Sequence, residues 1–148
     1  MAEDNASIVR IAYEAFNDRA LQRGAAVIAD DCELVDVPSG STFHGPEGYK
    51  QSMEGWLRAF PDGRIEITNL ITADEWVIVE FTGRGTNTGP LQTPAGEVPP
   101  TGRTAEMALC DVVQVRDGRI TRSRSYYDAA TLLGQLGLMA EVPVGATA

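Results

Sequence analysis

One histidine and two cysteines in 148 residues leave little from which to build a metal centre. His44 has no second histidine to join it, and no Cys, Asp or Glu cluster stands at ligand spacing, so no metal site is expected. Cys32 and Cys110 lie far apart, in no CxxC pair, each inside a strand-like run, and read as free thiols rather than a disulfide. Positive charge is scarce too. Twelve Lys and Arg against 21 Asp and Glu give a net charge of −9, which repels phosphate backbones and anionic lipid. Nucleic acid and membrane surfaces are therefore poor partners. No apolar run approaches the length of a membrane span, and the opening "MAEDNASIVR" is acidic with no apolar signal core, so the expected location is cytoplasmic. The glycines of "GRGTNTGP" (83–90) open no helix and make no phosphate cradle. No Ser-His-Asp set can be assembled.

What is present is the material of one globular domain. The chain is 43% hydrophobic and 22% charged, enough to bury a core, and reads as a single domain over 1–148 with a flexible tail at 139–148. Ile8, Ile11, Ala12, Ala15 and Phe16 recur at helical spacing, predicting a first helix from Ala6. "LQRGAAVIAD" (21–30) predicts a second, and "CELVDV" (32–37) a short strand ended by the "PSGS" turn. "GPEGYKQSMEGWLRAF" (45–60) predicts a third helix, with Pro46 in its first turn and Tyr49, Met53, Trp56, Leu57 and Phe60 on one face. The remainder is strand at 64–72, 76–87, 103–116 and 119–127, with tight turns at "ADE" and "RDG" and a short helix from Ala129. The segment 88–102, rich in proline and glycine, reads as a long loop of the kind that rims binding sites. The order implies an α+β fold: three helices over one face of a curved antiparallel sheet, enclosing a pocket as an α+β barrel.

Strand alternation locates that pocket. Val77, Val79, Phe81 and Gly83 share one face; Ala105, Met107, Leu109, Asp111, Val113 and Val115 share another; Thr121, Ser123, Ser125 and Tyr127 lie opposite Ile120, Arg122 and Arg124. The faces carrying Glu80, Arg84, Glu106, Arg122 and Arg124 are the wet ones. Asp111 therefore looks inward among apolar neighbours, where an ionised carboxylate is costly and its pKa should rise unless donors reach it. Ser123, Ser125 and Tyr127 are candidate donors. Two readings stay open for Asp111, a catalytic acid/base or a structural acid satisfied internally. Asp128 has the opposite parity and precedes "AATLLGQLG", so it reads as a helix N-cap. Tyr13, Phe16, Trp56 and Phe60 would cover the sheet and line any cavity, with Phe81, Met107 and Leu109 beneath them.

The motifs "FHGPEGY", "AFPDGRIEI", "FTGRGTNTGP", "PPTGR", "VRDGRI" and "YYDAATLLGQLGL" together resemble the SnoaL-like polyketide cyclases, within the nuclear-transport-factor-like and ketosteroid-isomerase-like superfamily. The resemblance implies a cone of three helices against a curved sheet, a deep apolar pocket, a homodimer built on the sheet's outer side, and catalysis without metal or organic cofactor. It also implies an acid/base aspartate on the last strand that assists an intramolecular aldol closure. That aspartate falls on Ser125 here, and a pocket histidine falls on Asp111. Phe81 and Gly83 stand where the related limonene-epoxide hydrolases need Arg and Asp, which disfavours epoxide hydrolysis. The expected function is an acid/base enzyme acting on a small apolar carbonyl compound, by intramolecular aldol cyclisation or by isomerisation, through an enolate. Asp111 would be its base, Tyr127, Ser125 or Asn87 its oxyanion donors, and Ser123 a further contact. The alternative is a non-catalytic binder of small molecules with the same fold.

Overall fold

A computed structural model describes residues 2–93 and 95–139. The chain runs through α1 (Ala2–Asn17), α2 (Leu21–Ala25), β1 (Ile28–Asp36), β2 (Ser41–His44), α3 (Gly45–Ala59), β3 (Arg64–Ala73), β4 (Trp76–Thr86), β5 (Leu91–Thr93), β6 (Gly96–Val98), β7 (Thr104–Arg116), β8 (Arg119–Tyr127) and α4 (Ala129–Gln135). α1 buries Val9, Ala12, Ala15 and Phe16 on one stripe, and Asn17 at its end exchanges two hydrogen bonds with the Ile65 backbone. α3 opens on Pro46 and buries Tyr49, whose hydroxyl donates to the Ala12 carbonyl at 2.7 Å. Gly24 lets α2 lie directly on the Tyr49 ring, because any Cβ there would run into it. No described helix is long and apolar enough to cross a membrane.

Six strands form one curved sheet in the order β2-β1-β8-β7-β4-β3, with the three N-terminal helices against it. The sheet is not closed into a barrel, and it is mixed rather than wholly antiparallel, because β1 runs parallel to β8. β7 and β8 pair as a hairpin, and β1 covers the backbone groups on the other edge of β8. β1 starts at Ile28, so residues 28–30 belong to the sheet and not to the second helix. Ile28 is buried in the sheet's core, and the Ile120 N–H donates to the Val27 carbonyl at 2.7 Å. β2, which the sequence pattern did not predict, folds back on β1 through a turn at Gly40 (φ +75°).

β4 and β7 hold an unbroken register from Trp76↔Gln114 to Thr86↔Thr104, so their inward and outward faces follow strand alternation. β8 does not. Its register with β7 shifts between Gln114 and Val115, leaving Thr121 as the extra residue of a bulge. Ile120 consequently turns into the core and Thr121 turns out to bond Gln114, the reverse of the alternation expected for those two positions. Beyond the bulge, Ser123 and Ser125 keep their inward parity. The 88–102 segment is also more ordered than a loop, since β5 and β6 pair as a small hairpin and Leu91 is buried. Residues 140–148, most of the expected flexible tail, lie outside the described residues.

Two apolar clusters result. One gathers Val9, Ile28, Val77, Val79, Val113, Val115 and Ile120 beneath α1 and α2. The other gathers Phe60, Leu91, Ala105, Leu132 and Leu136 beneath α4. Asp128 caps α4, accepting from the Thr131 N–H at 3.1 Å and the Thr131 hydroxyl at 2.8 Å. On the sheet's outer face Arg84 pairs with Glu106 at 3.0 Å, an exposed contact worth at most ~1 kcal/mol.

Candidate active site

A cavity of about 170 Å³ lies between the helices and the concave face of the sheet. Its wall is mostly apolar, built by Phe16 from α1, Met53 and Trp56 from α3, Phe60 just beyond it, and Phe81, Met107 and Leu109 from the strands. Tyr13, Asp36, Asp111, Ser123 and Ser125 supply polar groups. At roughly 10–15 Å³ of such space per water, the cavity suits a molecule of about ten to twenty non-hydrogen atoms.

Asp111 sits on β7 between Val79 of β4 and Ser125 of β8, and is 8% exposed. The Tyr13 hydroxyl, brought in by α1, donates to its Oδ2. Oδ1 is shielded from solvent and has no hydrogen-bond partner among the described residues. Burial pushes the Asp111 carboxyl up to about 6. The Ser125 and Tyr13 hydroxyls draw it back, and the nearby charge of Asp36 adds to the rise. Although Ser125 is near enough to act on the carboxyl electrostatically, it makes no hydrogen bond of normal geometry to Oδ1. Tyr13 is raised well above the usual phenol range, first by burial and then by the charge of Asp111. The pair is thus a phenol kept protonated beside a carboxyl that exchanges its proton near neutral pH.

The cavity gathers Tyr13, Phe16, Trp56, Phe60, Phe81, Met107, Leu109, Asp111, Ser123 and Ser125 around one space. Two residues expected there lie elsewhere. Asn87 is 0% exposed and is not on the cavity wall. Its amide donates to the Ala59 and Gly89 carbonyls, and its Oδ1 accepts from the Thr101 N–H and hydroxyl at 2.9 Å each. With both donors and both acceptor positions taken, it has nothing left for an enolate oxygen. Tyr127 also lies off the wall. Its ring packs edge-on against Trp56, and its hydroxyl lies 3.0 Å from each carboxylate oxygen of Asp36.

Ser52 and Arg64 also lie on the wall without having been expected there, and Asp36 is the acidic wall residue the sequence reading passed over. Its signal was present: in "CELVDV", Asp36 shares a strand face with Cys32 and Leu34, both packed in the core. It is half-buried, held by Tyr127 and by the Ser39 N–H at 3.2 Å. Met53 also lines the cavity, from the same helical face as Trp56.

The profile of the SnoaL-like polyketide cyclase family matches residues 6–136. No curated protein matches the sequence. Among solved structures, IdmH of Streptomyces antibioticus, a proposed polyketide cyclase, is 28% identical with a TM-score of 0.74, over 90% of this chain and 98% of IdmH. TerC, co-crystallised with polyporic acid, is 19% identical with a TM-score of 0.72, over 90% and 98% of the two chains. A hypothetical protein of ketosteroid-isomerase-like fold from Catenulispora acidiphila, in complex with trimethylamine, is 21% identical with a TM-score of 0.75, over 92% and 97%.

Proposed function

The chain belongs to the SnoaL-like polyketide cyclase family, and on that premise we propose that it closes a ring in a small, largely apolar polyketide-type carbonyl compound through an enolate. One observation carries this reading: the Asp111 carboxyl, poised at about 6 inside an apolar cavity and bonded by Tyr13. A base is most useful when its pKa lies near the working pH, and desolvation provides that here. Asp111 takes a proton alpha to a carbonyl, and the electron pair becomes the enolate. The enolate carbon then bonds to a second carbonyl carbon of the same molecule, and the resulting alkoxide is protonated. Ser123 on the cavity wall donates to the developing oxyanion. Side chains of the chain itself supply every group these steps use. The likeness to IdmH supports this substrate class.

The test uses methyl 4-(2-acetylphenyl)-3-oxobutanoate, which carries an acidic carbon and a ketone placed to form a six-membered ring. In heavy water the protein is expected to accelerate both deuterium uptake at the carbon between the two carbonyls and closure to the bicyclic aldol. Asp111→Asn should lose about 10²–10⁴-fold in both while keeping its circular-dichroism spectrum. An Asp111→Asn variant as active as the parent would refute the mechanism. Ser125 stands where the family resemblance places the acid, which favours a second reading, a binder without turnover. That reading predicts quenching of Trp56 fluorescence by the same compound with no deuterium uptake.

A further inference from the structure

Among the described residues two carboxylates face the cavity, and the sheet puts a hydroxyl between them. Asp111 on β7 is the antiparallel register partner of Ser125 on β8, and Ser125 is the parallel register partner of Asp36 on β1. All three line the cavity in one row across three strands spaced about 4.8 Å apart. Asp36 is held in place, because Tyr127 reaches both its oxygens and the Ser39 N–H reaches Oδ1. Each carboxylate oxygen has two acceptor positions, so Oδ2, bonded by Tyr127 alone among the described residues, keeps one for a substrate. At the other end of the row, Oδ1 of Asp111 is the one buried side-chain oxygen or nitrogen without a partner among the described residues. Ser125, the register partner of Asp111, lies close enough to that carboxyl to favour its charged form.

We propose that Asp36 is a second catalytic acid of this site, linked to Asp111 through the Ser125 hydroxyl, so that a proton collected from substrate carbon at one carboxylate is delivered to substrate oxygen from the other. The proposal rests on the enolate reading above and divides its proton traffic between two places. The C–H bond breaks as Asp111 takes the proton, leaving the enolate. The enolate carbon bonds to the second carbonyl carbon, whose π pair becomes the alkoxide. Asp111 passes its proton to the Ser125 oxygen while the proton of Ser125 moves to Asp36. Asp36 then gives that proton to the alkoxide. Every side chain returns to its starting state, and the product is an isomer of the substrate. Ser125 needs no activating base in this role, since a hydroxyl that accepts one proton while donating another is never a nucleophile.

The experiment measures closure of methyl 4-(2-acetylphenyl)-3-oxobutanoate, with hydrogen or with deuterium at the carbon between its carbonyls, by the parent protein, Asp36→Asn, Ser125→Ala and Ser125→Thr. The parent should show a large substrate isotope effect. Asp36→Asn, which keeps an acceptor for Tyr127, and Ser125→Ala should each close the ring about 100-fold more slowly, with the isotope effect falling to near unity because delivery to oxygen has become limiting. Ser125→Thr, which retains the hydroxyl, should keep most of the rate. Closure at the parental rate in Asp36→Asn or Ser125→Ala, or slow closure with the isotope effect intact, would overturn the relay and leave the role of Asp111 standing. A parent protein that neither closes the ring nor shows an isotope effect would instead overturn the enolate reading itself.

Discussion

At Asp111 two hydroxyls and a second carboxylate pull in opposite directions. Tyr13 from α1 and Ser125 from β8 favour the charged form, while burial and the charge of Asp36 from β1 favour the neutral one, and burial dominates. Removing the Tyr13 hydroxyl takes away support for the anion, so the Asp111 pKa in Tyr13→Phe should rise further. A hydrogen bond to a charged group contributes roughly 1.5–3 kcal/mol and 1.36 kcal/mol is one unit, so the acid limb of the rate profile should move up by about one to two pH units. A limb that stays put, or moves down, in the pH–rate profile of that variant would refute this assignment of the Tyr13 bond. The position of Asp111 was legible from alternation alone, because β4 and β7 pair without a bulge. Asp36 was legible in the same way, but nothing in its own strand says which strand it will adjoin. Tyr127 has inward parity, yet its hydroxyl ends on Asp36, a contact that exists only once β1 has docked on β8.

Among the elements, the stretch between β4 and β7 depends most on a single side chain. Asn87 ties together the end of α3 through Ala59, the return of the chain at Gly89, and Thr101 at the far end of the segment. Asn87→Ala leaves several buried groups unpaired, at about 1–3 kcal/mol for each that water cannot reach. The variant should lose on the order of 3 kcal/mol, read as a lower midpoint in urea, and the 88–102 segment should become the first site of proteolytic cleavage. An unchanged midpoint would show that the clamp is dispensable. Neither the clamp nor the β5–β6 hairpin could be read from composition, since a Pro/Gly-rich segment looks the same whether its backbone bonds are met by water or by a buried amide. The bulge in β8 hid itself for a related reason. One extra residue reverses the facing of everything on one side of it, and Ile120 and Thr121 carry no local mark of that reversal.

For the whole molecule, a buried acid with a raised pKa is a burden on folding. Asp111 has an ordinary value of 3.8 and about 6 in the fold. The native state therefore binds this proton more tightly than the unfolded chain does. The favourable contribution is fully present below the ordinary value, fades as pH rises toward 6, and is absent above it. Compared with the parent, Asp111→Asn should therefore be the more stable protein above about pH 6, by on the order of 2–3 kcal/mol, with the gap closing as pH falls toward 4. Thermal melts of both proteins across that range check the sign. A parent that is the more stable of the two at pH 7.5 would mean that Asp111 serves the fold rather than a reaction.

The sequence by itself determined which segments are helix and strand along most of the chain, which faces of β4 and β7 look inward, and that one of them carries an acid among apolar neighbours. These are local properties, because hydrophobic burial acts on each element's own period of 3.6 or 2. Only the tertiary structure decided that β1 begins at Ile28, runs parallel beside β8, and sets Asp36 next to Ser125. Period 2 orients a side chain to one face or the other and is silent about which strand lies alongside. That choice lies in the pairing of β1 with β8, more than eighty residues apart in the sequence, which satisfies the backbone donors and acceptors on the β8 edge.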